Sequence, residues 1–447
     1  MKKIISKFVV LLLAFSMITS TKVSAAPDRE KLDSSISSTI NKVMALKAKP
    51  AFNDEWSIIA LARSGEVIPE NFYDTYYKSV EEKVKNEFKK EVPFTSDPEN
   101  DDWSGINDVE RLVIALNSIG KDPENVAGYN LLNVIFNREN LADELGISGL
   151  TYALIAIDTK NYTEPKGAIN TRDSIIKDML SIRTKDGGFS WDSTADEADL
   201  DSTAMAIQAL YKYTDRKDVK EAVDRGLAIL KSKQSENGDY VSSYMGMTFE
   251  SPCTAAQVVV ALDNLKMDPT KSENGFVKNK DLIDVLESYY VTGGGFKNSS
   301  DETEANSMTT DQILYSLVSY RNLLDGKNSL YDMNEVKTDS SKENSKEENK
   351  TENPVVEPDK TQPESIDAGV TEKTETEQKI KDKENQPVIN NEDNSEEYTE
   401  EKDNKSSEVS ENVKTGDNNL YIAIALLASG MVVYKSRINS NIKKKVV

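Results

Sequence analysis

An apolar segment of nine residues recurs six times along this chain, and a fold that left those segments in water would not be stable. Ser202 to Leu210 (Ser-Thr-Ala-Met-Ala-Ile-Gln-Ala-Leu) is echoed downstream by Thr254 to Leu262 and Thr309 to Leu317. Upstream it is echoed by Gly149 to Ile157, Asp108 to Leu116 and Asn53 to Leu61. The closing residues of the copies recur at roughly 40 to 55 residues, the period of a helical-hairpin repeat. Each copy is apolar on most sides and so predicts a helix buried on most sides.

Segments of a second kind alternate with these: Leu32 to Leu46, Pro69 to Lys90, Val126 to Phe136, Ser174 to Ile182, Val219 to Leu230 and Asp281 to Tyr290. Their apolar residues fall three and four apart with charges between, which predicts helices wet on one face. A glycine turn also repeats, as Asp186-Gly187-Gly188-Phe189, Asn237-Gly238-Asp239-Tyr240 and Gly293-Gly294-Gly295-Phe296. Pairing each amphipathic helix with the buried one after it gives six hairpins. With buried helices inside and amphipathic ones outside, the expected all-α fold is an α6/α6 toroid over residues 28–324. An open superhelix is the alternative, but no polar capping repeat stands at either end.

The flanks are of a different character. Residues 1–25 have the three parts of a secretory signal: Lys2, Lys3 and Lys7, an apolar run from Phe8 to Met17, and Val23-Ser24-Ala25 at the cleavage site. Residues 334–411 are Lys, Glu, Asp, Asn, Ser, Thr and Pro with few aromatics, a composition that does not bury enough apolar surface to fold. As a flexible coil such a linker reaches on the order of 50 Å. Residues 412–447 hold Asn412-Val413-Lys414-Thr415-Gly416-Asp417, an apolar run over 420–434 and a basic tail. This order resembles the cell-wall sorting signal of Gram-positive surface proteins. The resemblance implies cutting by a sortase between Thr415 and Gly416, transfer of Thr415 to peptidoglycan, and transient residence of the apolar run in the membrane. Asn412 and Val413 stand where the usual Leu-Pro would be.

Composition excludes several chemistries. The chain has no histidine and one cysteine, so neither a Ser-His-Asp nor a Cys-His mechanism, nor a His-ligated zinc site, nor an intrachain disulfide can be built. Its 55 basic and 77 acidic side chains give a net charge of −22, which repels nucleic acid.

The hairpins, Asp-Gly-Gly-Phe turns and Ser-Thr-Ala-Met-Ala-Ile-Gln-Ala-Leu helices resemble the terpenoid cyclase and protein prenyltransferase toroid. Within it they are most similar to secreted bacterial prenyltransferase-repeat surface proteins. That superfamily includes cyclases, zinc transferases and the non-catalytic cobalamin carriers of the transcobalamin and intrinsic-factor type, so the resemblance implies fold before function. A class II cyclase carries Asp-x-Asp-Asp-Thr at the start of an inner helix. Asp199-Leu200-Asp201-Ser202-Thr203 places Asp201 on the acid and Ser202 where a further carboxylate belongs. The plainer role for Asp201 or Ser202 is a helix cap, with Asp108, Thr254 and Thr309 opening other copies in the same way. A zinc transferase site fails for want of histidine, and Cys253 reads as a small core side chain. A polysaccharide-active enzyme would draw on Glu55, Asp108, Glu110, Asp199, Asp201 and Asp311, none of which forms a pair with a signature of its own.

A binding role draws on other residues. In a closed toroid the loops entering the inner helices open at one end and bring Trp56, Trp103, Phe189, Trp191, Tyr240, Tyr244 and Phe296 there. Gln257 and Gln312 are equivalent to Met205 in the repeat and point toward the mouth. Phe189, Tyr240 and Phe296 recur in register, which favours stacking between hairpins over the ligand contact that they also offer, whereas Trp103, Trp191 and Tyr244 do not recur and are the better ligand contacts. Nothing after Leu324 could form the β-rich lid of a cobalamin carrier, so a corrinoid would need the mouth alone or a partner. The sequence therefore predicts a secreted, wall-anchored, monomeric and non-catalytic ligand-binding or adhesion module for a small molecule or glycan, with no cofactor and no metal. The alternative is an enzyme with Asp201 as general acid, assisted by Asp199.

Overall fold

The computed structural model describes residues 29–95, 106–244 and 247–339. The signal segment, most of the linker, and the sorting motif with Thr415 and Gly416 lie outside them. Twelve α-helices run through the described residues: α1 (Arg29–Leu46), α2 (Glu55–Arg63), α3 (Glu70–Glu87), α4 (Ile106–Ser118), α5 (Leu131–Asn137), α6 (Leu141–Asp158), α7 (Arg172–Ser181), α8 (Leu200–Leu210), α9 (Lys217–Lys233), α10 (Pro252–Asn264), α11 (Leu282–Glu287) and α12 (Ser307–Leu324).

The even-numbered helices carry the apolar copies and form a closed ring. Helix α2 packs on α4, α4 on α6, α6 on α8, α8 on α10, α10 on α12, and α12 returns to α2. That return contact decides for the toroid over an open superhelix. Burial follows the sequence: in α10 every residue from Thr254 to Asn264 is buried, whereas α9 buries only the stripe Val219, Ala222, Val223, Gly226, Leu227, Ile229 and Leu230.

The pairing of outer with inner helices differs from expectation. Helices α5, α7, α9 and α11 pack against α4, α6, α8 and α10, the inner helices that precede them rather than those that follow. The Tyr76 hydroxyl of α3 likewise donates to Glu55 of α2, at 3.3 Å. Helix α1 has no inner helix before it in the chain and packs instead against α12, the last. The ring is thus closed by its first and last helices, with Arg29 bonded to Asp325 at 2.8 Å and Arg321 to Asp33 at 3.3 Å.

The glycine turns explain this arrangement. In each, a phenyl or phenol ring is buried and its carbonyl oxygen accepts from the residue just before the next inner helix: Asp199 to Phe189 at 2.9 Å, Ser251 to Tyr240 at 3.0 Å, Asn306 to Phe296 at 2.9 Å. Thr203 and Thr310 complete two of the turns, each accepting from the ring residue's N–H and donating back to its carbonyl oxygen. The turns lean on the next outer helix. A β-carbon on Gly188 would stand 2.5 Å from the Ala198 β-carbon and 3.0 Å from Ile229 of α9, so only glycine allows the loop to cross there.

A short antiparallel hairpin, β1 (Val241–Tyr244) with β2 (Met247–Glu250), interrupts the loop before α10 and was not anticipated. The packed chain also does not stop at residue 324. Leu330, Tyr331 and Met333 are buried, Met333 N–H donates to Thr159 O at 2.9 Å, and Asp339 N–H to Gly120 O at 2.9 Å. The first residues of the expected 334–411 linker are therefore part of the folded body. Among the described residues no helix is long and apolar enough to cross a membrane.

Candidate functional site

The inner helices are buried almost throughout, with one layer as the exception. The fourth residues of the six copies are Trp56, Arg111, Tyr152, Met205, Gln257 and Gln312, and all but Gln257 retain partial exposure between buried neighbours. They meet across the ring. Trp56 packs on Tyr152 with ring centroids 5.4 Å apart and on Tyr315 at 5.7 Å, the Tyr152 hydroxyl lies 3.9 Å from the Met205 sulfur, and Gln257 bonds to Gln312 at 3.0 Å.

One helical turn deeper, on the same face, the eighth residues are Ala60, Ala115, Ala156, Ala209, Ala261 and Ser316. All are buried, and their small size leaves the axis to the long side chains above. The far end is closed by the segment after α12. Arg63, at the end of α2, donates to the carbonyls of Ser329 and Asp332, the Tyr211 and Ser329 hydroxyls meet at 3.0 Å, and Lys160 donates to Val336 O at 2.5 Å. The toroid is a cup with its floor at the fourth-residue layer and its opening at the starts of the inner helices.

Acidic groups crowd that opening, and burial changes their chemistry. Glu110 is fully buried and neither carboxyl oxygen has a hydrogen-bond partner. Desolvation therefore holds its pKa well above the usual carboxylate range, against the pull of Arg111 and Arg138. Glu55 and Asp311 are raised for the same reason, but both are bonded: Glu55 accepts from Tyr76 and the Asn53 N–H, and Asp311 from Ser57 at 2.6 Å and Lys47 at 3.1 Å. Asp108 pairs with Arg111.

Asp201 is the most informative of the group. Its Oδ1 is sealed from water and unpartnered, and burial followed by the charge of Asp199 raises its pKa to about 7, with the Thr254 hydroxyl working the other way. Asp199, and not Asp201 or Ser202, caps α8, accepting from Ser202 N–H at 2.7 Å. The other expected caps shift likewise. Asn306 rather than Thr309 caps α12, at 3.0 Å, and Thr254 exchanges a hydroxyl contact with Ser251, the residue that precedes α10. Beside Asp201, burial and that carboxylate push the Cys253 thiol up to about 12, and its sulfur lies 3.7 Å from Thr309 Oγ1. Such a thiol is a poor nucleophile.

The expected contact residues therefore divide. Gln257 and Gln312 reach the cup floor. Phe189, Tyr240 and Phe296 are 0%, 1% and 0% exposed and belong to the packing of the turns, out of reach of a ligand. Trp191 is partly exposed on the loop into α8. Trp103 and the side chain of Tyr244 lie outside the described residues. Sequence reasoning passed over Arg111 and Tyr152 as floor residues, although their column in the repeat is that of Met205. Two shallow grooves of about 360 and 370 Å³ lie away from the cup. Lys177, Arg183 and Arg216 line the first, Ile68, Tyr73 and Lys337 the second, and neither holds any of these groups.

No protein-family model matches the chain. No curated protein matches it either. Among solved structures it is similar to the unsaturated glucuronyl hydrolase from Bacillus sp. GL1, described as responsible for the degradation of glycosaminoglycan. The identity is 10% and the TM-score 0.45, over 68% of this chain and 99% of that one.

Proposed function

We propose that the toroid is a ligand-binding cup, carried outside the cell by the export and wall-sorting segments read at its two ends. The observation that carries the proposal is the floor: five of the six fourth-position side chains stay partly exposed within helices buried along most of their length, and they include Trp56, Tyr152 and Gln312. An aromatic surface bordered by amides suits a neutral ring-shaped ligand such as a sugar. Soluble glycans added to the full chain in isothermal calorimetry test this. Binding that disappears in Trp56→Ala supports the cup, and binding indifferent to that change removes it.

Asp201 favours a second reading. A carboxylic acid with a pKa of about 7 can donate a proton at neutral pH, as a general acid acting on a glycan or an alkene must. Turnover that is lost in Asp201→Asn, with binding kept, would assign catalysis to the same cup.

A further inference from the structure

The polarity of one hydrogen-bond relay names the chemistry of the ligand, an inference that rests on the binding-cup reading. Gln208 Nε2 lies 2.9 Å from the backbone carbonyl oxygen of Gln257, which can only accept, so the nitrogen end of Gln208 is fixed. The same Nε2 donates to Gln257 Oε1 at 2.9 Å. Gln257 must then turn its Nε2 the other way, where it donates to Gln312 Oε1 at 3.0 Å and to the Tyr315 hydroxyl. Each amide forces the next, across α8, α10 and α12. The last one, Gln312, spends its oxygen on the relay, which leaves the two amide hydrogens of this partly exposed side chain for a ligand or water.

A ligand must meet those hydrogens with an acceptor. A carboxylate would supply one, but the cations at the inner-helix starts are already engaged, Arg111 by Asp108 and Lys47 by Asp54 and Asp311. A neutral carbonyl fits better. Met205 and Tyr152 in the same layer offer an apolar patch for a methyl group, and Trp56 a face for a ring. We infer that the cup binds an acetamido sugar, its carbonyl oxygen on Gln312 Nε2 and its pyranose ring against Trp56.

The test is a titration of the full chain, in about 150 mM salt to screen long-range charge, with a β-1,4-linked N-acetylglucosamine tetramer and with cellotetraose, which lacks the acetamido group. The expected result is at least tenfold tighter binding of the acetamido tetramer. Gln312→Leu and Gln312→Glu should each bring it down to the level of cellotetraose. Both leave Gln257 Nε2 its bond to Tyr315, so the fold is kept, and unchanged melting checks this. Equal binding of the two tetramers, or Gln312 variants that bind like the parent while Trp56→Ala abolishes binding, would overturn the acetamido assignment and leave the cup. Failure of the acetamido tetramer to bind overturns the assignment as well.

Discussion

Gly294, in the last glycine turn, lies against the backbone of Ser38, in the first helix. A β-carbon on Gly294 would stand 2.8 Å from the Ser38 carbonyl carbon and closer still to its oxygen. The neighbouring Gly295 N–H donates to Thr39 Oγ1 at 3.2 Å. Residues from opposite ends of the folded chain therefore meet through main-chain atoms that have no freedom to move aside, and here the ring is closed.

Gly294→Ala should consequently cost more than loss of the visible ion pair. The φ of Gly294 is +106°, strained for any side chain, and the added methyl meets backbone on α1. Arg29 is 45% exposed, and an exposed pair contributes about 0 to 1 kcal/mol. Thermal unfolding should place Gly294→Ala at least about 2 kcal/mol below the parent, and Arg29→Ala within about 1 kcal/mol of it. Equal losses would mean that side-chain charge closes the ring.

Asp201 makes stability depend on pH in a defined direction. In the unfolded chain its carboxyl loses its proton near 4, while the folded site keeps it up to about 7. Between those values the unfolded state binds fewer protons, so stability falls as pH rises from about 4 to about 7 and is level above. Asp201→Asn removes the dependence. Its unfolding free energy should match the parent near pH 4 and exceed it at pH 7.5, by about 1 to 2 kcal/mol because part of the side chain is solvated. If the cup is an enzyme, the same variant should lose about 10² to 10⁴ in turnover.

Asp263, at the C-terminal end of α10, should behave in the same sense, with no consequence for ligand. It is 1% exposed, neither carboxyl oxygen makes a hydrogen bond of good geometry, and desolvation holds its pKa well above the usual range, with the neighbouring Ser319 hydroxyl working the other way. Folding at neutral pH must retain a proton there or bury a charge. Asp263→Asn should therefore stabilise by about 1 to 3 kcal/mol at pH 7 and by little near pH 4, with glycan titrations unchanged. A variant less stable at pH 7 would mean that the carboxyl is ionised and paired.

The sequence carried the inner ring because burial on all sides imposes an apolar pattern, and the register of the six copies brings Met205, Gln257 and Gln312 into one column. The same column held Trp56, Arg111 and Tyr152, so the whole floor was legible to anyone reading it straight through. The choice of neighbour for each outer helix was not legible, because an amphipathic stripe says that a helix packs but not on which side. The caps moved by two or three residues because Asp199, Asp201 and Ser202, or Asn306 and Thr309, are interchangeable as N-cap side chains and only backbone geometry selects among them. Phe189, Tyr240 and Phe296 were readable both as ligand contacts and as core, and the register that repeated them pointed to core. Residues 325–339 repeat nothing, and their three buried apolar side chains carry no period by which to be recognised.

That last segment makes the sharpest remaining prediction, since the sequence ended the domain at Leu324 and the structure does not. Leu330 and Met333 are fully buried and Tyr331 is 5% exposed. Tyr331 lies near Tyr152 and Tyr315. Burying three such side chains contributes about 1.5 to 3 kcal/mol each, offset in part by ordering the backbone that carries them. A chain cut after Leu324 should lose at least about 3 kcal/mol of stability, and Tyr331→Ala alone a comparable amount. Since the segment also seals the cup beneath the floor, the cut chain should show faster amide hydrogen exchange in the last turns of α2, α6 and α8 than in their first turns. A chain ending at Leu324 that melts with the parent and keeps those amides protected would return residues 325–339 to the linker.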